Sequence, residues 1–368
     1  MRVTISSSAF SSHLQMAGKV LAKKNPMPIL ECFLIEVKDS MMTITASNSE
    51  NSIITSVQLI EHEGDGCLCI NAETLISTIK EIPEQPLILE YNEKTSELRG
   101  KHSCGEFSVV CQEAAGFPPP VPVNGGLKIT ISSKELVSGV SNCIIATADD
   151  NVMLFKKGIY FDIHEDSVII VATDGRKLVK KTLRDVKPGI VGNFILPMSI
   201  AGILKSVVKN ECNAEIAFDQ QRATIIIGDT TIYFRLVETR YPNYNAVIPN
   251  RSSIVVSLDR VSLIGALKRV GVFCNKSSNF IKFELKNNQA IITGSDSNNA
   301  TSAEEFLPCD YEGAPFSIGF GYTFFVEILN GIEVESVTLE LLAPERPCVI
   351  KGVDDDLLML LMPMKIDE

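Results

Sequence analysis

Residues 29–48 of this chain are echoed by residues 155–174 and again by residues 280–296. Each copy reads as a strand, a short polar turn and a second strand, and each ends in a small polar pair: Ser47-Asn48, Thr173-Asp174 and Ser295-Asp296. The last positions recur at intervals of 126 and 122 residues, about a third of the 368-residue chain. A fixed long period of this kind means domains of one fold joined in line. The expected division is residues 1–120, 127–249 and 250–368, each long enough for its own core.

Each third divides again. A strand and an apolar-periodic helix open it: Val3–Ile5 then Ser7–Lys24, Ile129–Ile131 then Ser132–Ala148, Val255–Val256 then Ser257–Lys276. The repeated strand pair follows, and then a second strand and helix: Cys67–Ile70 with Asn71–Ile82, Phe194–Leu196 with Pro197–Lys209, Phe316–Ile318 with Gly319–Asn330. Further strands close the unit at Leu87–Tyr91, Ala214–Phe218 and Val337–Leu341. The spacing of Leu14, Ala17, Val20 and Leu21 supports the first helix, and Asn71 and Ser132 or Ser133 are natural N-caps. The fold class is therefore α+β, with two helices per third. Proline-rich joints at Phe117-Pro118-Pro119-Pro120 and Tyr241-Pro242-Asn243-Tyr244 read as short, stiff connections.

Ten cysteines are scattered without a C-x-x-C pair, and none of the four histidines lies at zinc-site spacing from a cysteine pair. Reduced, mostly buried thiols are expected, with no metal and no cofactor. No signal peptide and no apolar run of membrane-spanning length is present, so a cytoplasmic location and no membrane partner are expected.

The net charge of −11 speaks against nucleic acid until it is sorted by element. The six expected helices carry eleven basic residues (Lys19, Lys23, Lys24, Lys80, Lys134, Lys205, Lys209, Arg260, Lys268, Arg269 and Lys276) against five acidic ones. The acids are Glu73, Glu81, Glu135, Asp259 and Glu327, so the remainder of the chain is strongly acidic. Helices gathered on one face would hold a polyanion without reading its sequence.

An enzyme is the natural rival. Asp174 beside Gly175, and Gly228-Asp229, suggest a carboxylate pair, yet there is no phosphate-binding glycine loop and no nucleophile elbow. A second rival is a peptide-binding scaffold that encircles nothing.

Four stretches carry a resemblance: Pro28-Ile29-Leu30; Ala172-Thr173-Asp174-Gly175-Arg176-Lys177-Leu178; Tyr241-Pro242-Asn243-Tyr244 with Val247-Ile248-Pro249; and Met362-Pro363-Met364-Lys365-Ile366. With the threefold repeat, the whole chain resembles the bacterial β sliding clamp of replicative DNA polymerases. The resemblance implies three tandem clamp domains, closing as a head-to-tail homodimeric ring with helices inside and antiparallel sheets outside. It implies a non-enzymatic processivity factor that encircles double-stranded DNA without sequence specificity during DNA replication. The DNA-facing residues would be Lys19, Lys23, Lys24, Lys80, Lys134, Lys205, Lys209, Lys268 and Arg269.

The same resemblance implies a groove for short apolar peptide motifs of the polymerase, the clamp loader and repair polymerases. It would be formed by Thr173, Gly175, Arg176, Leu178, Pro242, Val247, Pro347, Met362, Pro363 and Met364. At the subunit joint, Phe107 and Val109 would face Val272 and Phe273, while Arg99 and Lys101 would face Glu304 and Glu305. The chain departs from the family pattern at Glu73, Asp149, Asp150 and Lys156, and in the terminal pair Asp367-Glu368.

Overall fold

Six strand–helix–strand modules follow one another in the chain. The computed structural model describes residues 1–22, 25, 27–208, 211–352 and 354–366. The first module contains β1 (Arg2–Ser6), α1 (Ser7–Ala17), β2 (Cys32–Lys38), β3 (Met41–Ser47), β4 (Ser52–Gln58) and the short β5 (Glu61–Glu63). The second contains β6 (Gly66–Asn71), α2 (Ala72–Lys80), β7 (Pro86–Asn92), β8 (Glu97–His102) and β9 (Gly105–Val110). The third has β10 (Leu127–Ser132), α3 (Ser133–Cys143), β11 (Gly158–His164), β12 (Ser167–Thr173) and β13 (Lys177–Leu183). The fourth has β14 (Gly192–Pro197), α4 (Met198–Val207), β15 (Asn213–Phe218), β16 (Arg222–Ile227) and β17 (Thr230–Arg235). The fifth has β18 (Ile254–Asp259), α5 (Arg260–Gly271), β19 (Phe280–Lys286), β20 (Gln289–Asp296) and β21 (Thr301–Pro308). The sixth has β22 (Phe316–Gly321), α6 (Tyr322–Asn330), β23 (Ser336–Leu341), β24 (Cys348–Lys351) and β25 (Leu357–Leu361).

One backbone hydrogen bond marks the repeat at atomic detail. The first helical residue donates its N–H to the carbonyl just before the closing strands: Ser7 to Gln85 at 3.0 Å, Ser133 to Cys212 at 2.8 Å, Arg260 to Glu335 at 2.9 Å. In the first two thirds the same serine hydroxyl accepts the return N–H, from Gln85 at 3.0 Å and from Cys212 at 3.1 Å. Asn71 caps α2 as expected, its Oδ1 accepting from the Thr74 N–H at 3.0 Å.

The chain forms two compact units, Met1–Val137 with Gly202–Leu236, and Ser138–Ala201 with Val237–Glu368. The first contains a five-stranded sheet, β5-β1-β7-β8-β9, and an eight-stranded one, β10-β15-β16-β17-β4-β3-β2-β6. The second contains an eight-stranded sheet, β14-β11-β12-β13-β25-β24-β23-β18, and a four-stranded one, β21-β20-β19-β22. All pairings are antiparallel. The sheets cross the sequence thirds: β4 pairs with β17, and β13 with β25. Each half-sheet has a hydrophobic inner face, exemplified by Ile35, Phe161 and Phe283, all buried at equivalent positions of β2, β11 and β19.

The helices are shorter than their periodicity predicts. Helix α1 ends at Ala17, not Lys24, and a 3-10 turn over Gly18–Val20 leads into extended backbone at Leu21. Its apolar spacing continues because Val20 still packs in the core. At Gly18 the helix pair is close: a Cβ there would lie 2.9 Å from Ile76 Cδ1 on α2. Helix α5 starts at Arg260 because Asp259 caps it, accepting from the Ser262 N–H at 2.7 Å, and it ends before Lys276. Arg260 also leaves the surface count of basic residues. Its Nε donates to Val334 O at 2.7 Å and its Nη1 to Leu329 O at 3.1 Å, a cation at the C-terminal end of α6.

Candidate functional site

Lys19, Lys80, Lys134, Lys205 and Lys268 are all exposed on helices or their terminal turns, and among the described residues none has a carboxylate within ion-pair distance. Lys23, Lys24 and Lys209, expected beside them, lie outside the described residues, as does the Asp367-Glu368 pair. Arg269 differs from the lysines. Its guanidinium donates to both oxygens of Glu305, at 2.7 and 2.6 Å, so a residue expected to face DNA and one expected at the subunit joint neutralise each other. The two acids that depart from the family pattern are also matched locally: Asp149 pairs with Lys157 at 2.8 Å and Asp150 with Lys156 at 3.1 Å. Glu73 is exposed in the first turn of α2, where a carboxylate favours the helix.

The expected groove residues gather around one turn. Asp174 Oδ1 accepts from the N–H groups of Arg176 and Lys177, both at 2.8 Å, and Gly175 adopts φ +87°, a conformation glycine takes without cost. Thr173 Oγ1 donates to Lys177 O at 2.8 Å, and the chain then enters β13. The terminal strand is sewn to this turn: the Met362 N–H donates to Arg176 O at 2.8 Å, and the Met364 N–H to Gly319 O at 2.8 Å. Met362, Pro363 and Met364 are half-buried, while Gly175, Arg176, Pro242 and Val247 are exposed. Leu178 and Pro347 are buried. Leu178 packs with Val171, Ile195, Tyr241, Tyr244, Val349 and Leu360.

Several residues that position this surface escape the sequence reading. The Arg176 guanidinium lies over the Phe324 ring at 5.4 Å, within cation–π range, and Lys177 Nζ lies at 5.7 Å from the same ring. Tyr241 stacks on Tyr160 at 4.4 Å and takes the edge of Phe155 at 5.8 Å. Tyr244 donates its hydroxyl to Asp162 at 2.7 Å; burial and that carboxylate both push its pKa up. The Tyr-Pro-Asn-Tyr segment is thus an aromatic anchor beside Pro242 and Val247, a packing role for the two tyrosines that the sequence reading did not include. Tyrosines three apart flanking Pro-Asn were the available signal. Lys156 stands beside the turn, its Nζ 3.8 Å from where a Cβ on Gly175 would lie.

Of the expected joint residues, Phe107, Val109, Glu304 and Glu305 lie on edge strands, Val272 and Phe273 at a helix end, and Arg99 and Lys101 one strand in from the edge, on β8. Phe107 and Val109 are half-buried on β9, the last strand of its sheet, and the Phe107 ring lies over Gly100. Val272 and Phe273 are 76% and 41% exposed at the end of α5. Val110 and Phe306, not anticipated, are exposed on the edge strands β9 and β21. Arg99 and Lys101 are engaged within the chain, with Glu97 at 3.3 Å and Glu90 at 2.8 Å.

The carboxylates of the rival enzyme reading serve structure. Asp174 closes its turn as described, and Asp229 accepts from the Thr230 hydroxyl at 3.0 Å. Among the described residues, no group of three or more His, Cys, Asp or Glu side chains is arranged to hold a metal ion, and no helix is long and apolar enough to cross a membrane. All ten cysteines are free thiols, with only Cys67 and Cys104 exposed. Burial pushes Cys69 up to about 12, and Cys111 and Cys274 up to about 11, far from reactive thiolates.

A repeated α+β module, exposed helix lysines and a turn-plus-terminus groove define a DNA sliding-clamp architecture. Three family descriptions cover the chain in order: the N-terminal domain of the DNA polymerase III beta subunit matches residues 1–122, the central domain residues 130–243, and the C-terminal domain residues 245–365. The chain belongs to the DNA polymerase III beta-subunit family, the DNA sliding clamps of replication. The beta sliding clamp of Chlamydia muridarum is 24% identical over 373 residues, and that of Pseudomonas putida 24% identical over 369, each spanning both chains in full. Among solved structures, the sliding clamp of Pseudomonas aeruginosa bound to griselimycin superposes with a TM-score of 0.94 at 23% identity, and the beta subunit of Thermotoga maritima with 0.91 at 25%. Both alignments cover the two chains completely.

Proposed function

We propose that two copies of this chain close head to tail into a ring that encircles duplex DNA, with the exposed helix lysines facing the phosphates. The ring is a non-enzymatic tether acting in the cytoplasm. Replicative polymerase, clamp loader and repair polymerases compete for the groove around Arg176 and Met362, where half-buried methionines adapt to varied apolar side chains.

One observation carries this reading. Each eight-stranded sheet joins four strands, β10-β15-β16-β17 or β18-β23-β24-β25, to four others, β4-β3-β2-β6 or β13-β12-β11-β14. The strands β1-β7-β8-β9 and β21-β20-β19-β22 are the same two halves left apart. The internal joints share one register: Tyr233 opposite Ser52 and Leu360 opposite Leu178 are equivalent pairs. Carried to the open halves, that register sets Ser108 of one copy opposite Ser302 of the other and Phe107 opposite Ala303. The end of α5 supports it. Val20 and Ala146, equivalent to Phe273 at the two closed joints, are buried, whereas Phe273 is exposed. Two copies close both open halves, and a closed ring leaves no such edge to aggregate.

Sedimentation equilibrium and negative-stain electron microscopy test the proposal. The expected result is a ring of twice the 40.3 kDa chain mass, and a folded monomer from Phe273→Glu. A wild-type protein that stays monomeric at tens of micromolar, the upper range of stable association, would overturn it.

A further inference from the structure

The buried cluster around Leu178 extends as a row across its sheet. Leu178, Leu360 and Val349 are successive cross-strand partners, so their side chains leave one face, and the next partner in that row is Glu340 on β23. The neighbouring row of Val179, Met359, Ile350 and Leu339 points the other way, toward α6, where a Cβ on the C-cap Gly331 would lie 3.6 Å from Met359 Cε. Glu340 thus stands on the face that carries Leu178, opposite the one on which α6 packs. Ile248 packs against the same cluster, and residues 249–252 follow it directly. With Glu340, Val349 and Lys351 they line a pocket of about 160 Å³, whose lining also includes Pro347, one of the expected groove residues.

The charges in this pocket do not cancel. Glu340 is matched locally, its Oε1 accepting from Lys351 Nζ at 2.8 Å and its Oε2 from the Ser252 hydroxyl at 3.4 Å. Arg251 is exposed, and among the described residues no carboxylate lies within ion-pair distance of it. One uncancelled guanidinium therefore remains, and its fork of donors receives a carboxylate in bidentate geometry. Pro249, Pro347 and Val349 offer apolar contact to the stem of an acidic side chain. A duplex against the helices would lie beyond the other face of this sheet, whereas a peptide seated at Val247 and Pro347 is already at the pocket.

We propose that this pocket is an acidic-side-chain subsite of the peptide groove: a partner segment carries an aspartate or glutamate beside its apolar anchors, and Arg251 receives that carboxylate. The proposal rests on the reading of the neighbouring surface as a peptide groove, and makes Arg251 a specificity-determining residue for its partners. Lys351 keeps Glu340 from opposing the anion. Partners with the same apolar anchors are then ranked by the flanking acid. The chain's net charge of −11 disfavours acidic peptides in general, so any gain from such an acid has a local origin.

The test is fluorescence anisotropy on the full-length protein with three labelled peptides. The first has a core rich in leucine and phenylalanine flanked by aspartates, the second has asparagines in their place, and both are blocked at the two termini. The third is the asparagine peptide with a free C-terminal carboxylate. The aspartate peptide is expected to bind about five times more tightly than the blocked asparagine peptide. That advantage should vanish in Arg251→Ala and shrink in Arg251→Lys, which keeps the charge and loses the fork. The blocked asparagine peptide should be indifferent to both variants, and Met362→Ala should weaken both blocked peptides alike. Because Arg251 is exposed, both of its variants should keep the wild-type melting temperature. Amide hydrogen exchange should show added protection of residues 250–253 with the aspartate peptide only. No advantage for aspartate, an advantage that survives Arg251→Ala, or Arg251 dependence confined to the free-carboxylate peptide overturns the proposal. Indifference of both blocked peptides to Met362→Ala overturns the groove reading instead.

Discussion

Between α3 and β11, Asp150 accepts hydrogen bonds from the N–H groups of Val152 and Met153 at 2.8 and 3.0 Å, and from Lys156 Nζ at 3.1 Å. The Met153 and Val152 N–H groups, with Lys156 adding to them, hold its carboxyl down to about 2 from an ordinary 3.8. The pKa is depressed in the folded chain, so the ionised carboxylate contributes to loop order fully above pH 4 and loses that contribution as pH falls toward 2. The segment carries Val152, 88% exposed, at its tip, so nothing apolar beneath it replaces the lost bonds. We expect the Val152 and Met153 amide resonances to hold their shifts down to about pH 3 and to move together near pH 2. In Asp150→Ala they should lie at the displaced position at every pH. Titration of these amides near pH 4 instead would show that the backbone bonds do not form in solution. The Asp150 carboxylate is thus engaged by its own loop and by Lys156.

Elements are joined by residues that sequence proximity does not reveal. Lys177 is only 5% exposed on β13, lies 3.6 Å from Asp174, and donates to Glu327 on α6, 150 residues away. Its neighbour Arg176 uses the same helix through Phe324. The turn of the proposed peptide groove is therefore held by α6. Removing Glu327 leaves a nearly buried ammonium with Asp174 alone, so Glu327→Ala is expected to cost about 1 kcal/mol of stability. Urea unfolding measures this, and an unchanged midpoint would assign the anchoring to Phe324. Glu327→Ala should also weaken binding of an apolar peptide by loosening Arg176, while Glu327→Gln retains part of the effect.

The strand and helix pattern was legible because alternation and three-four spacing are local, and all six helices and the nine boundary strands fall where periodicity sets them. Helix ends were not, since the stop at Ala17 depends on α2 approaching Gly18. The groove residues came from motif resemblance. Tyr241 and Tyr244, whose rings and hydroxyl reach Tyr160, Val171 and Asp162, belong to long-range packing that a turn-rich segment conceals. The Arg269–Glu305 pair was hidden for the same reason: each side chain looks like free surface charge until β21 is laid beside α5.

At the scale of the whole molecule, the two closed joints make the third one predictable. The strand pairings on either side of the two joints place Ser52 opposite Tyr233 and Leu178 opposite Leu360 in one common register. A register slip by one residue would turn Phe107 from the inner face to solvent, so the joint is strongly specified. We expect Ser108→Cys combined with Ser302→Cys, in a chain whose exposed Cys67 and Cys104 are serine, to form a disulfide between copies under mild oxidation. Two such bonds per ring would yield a covalently closed product of twice the chain mass in denaturing electrophoresis. Ser108→Cys with Glu304→Cys, displaced by two residues to about 7 Å or more, should cross-link poorly, because a disulfide needs Cα atoms within about 7 Å. Efficient cross-linking of the displaced pair, with none at Ser108 and Ser302, would mean that the subunit joint does not copy the internal ones. Loaded on circular duplex DNA before oxidation, the closed product should remain on the circle in high salt and slide off once the DNA is cut, since a topological link is indifferent to screening.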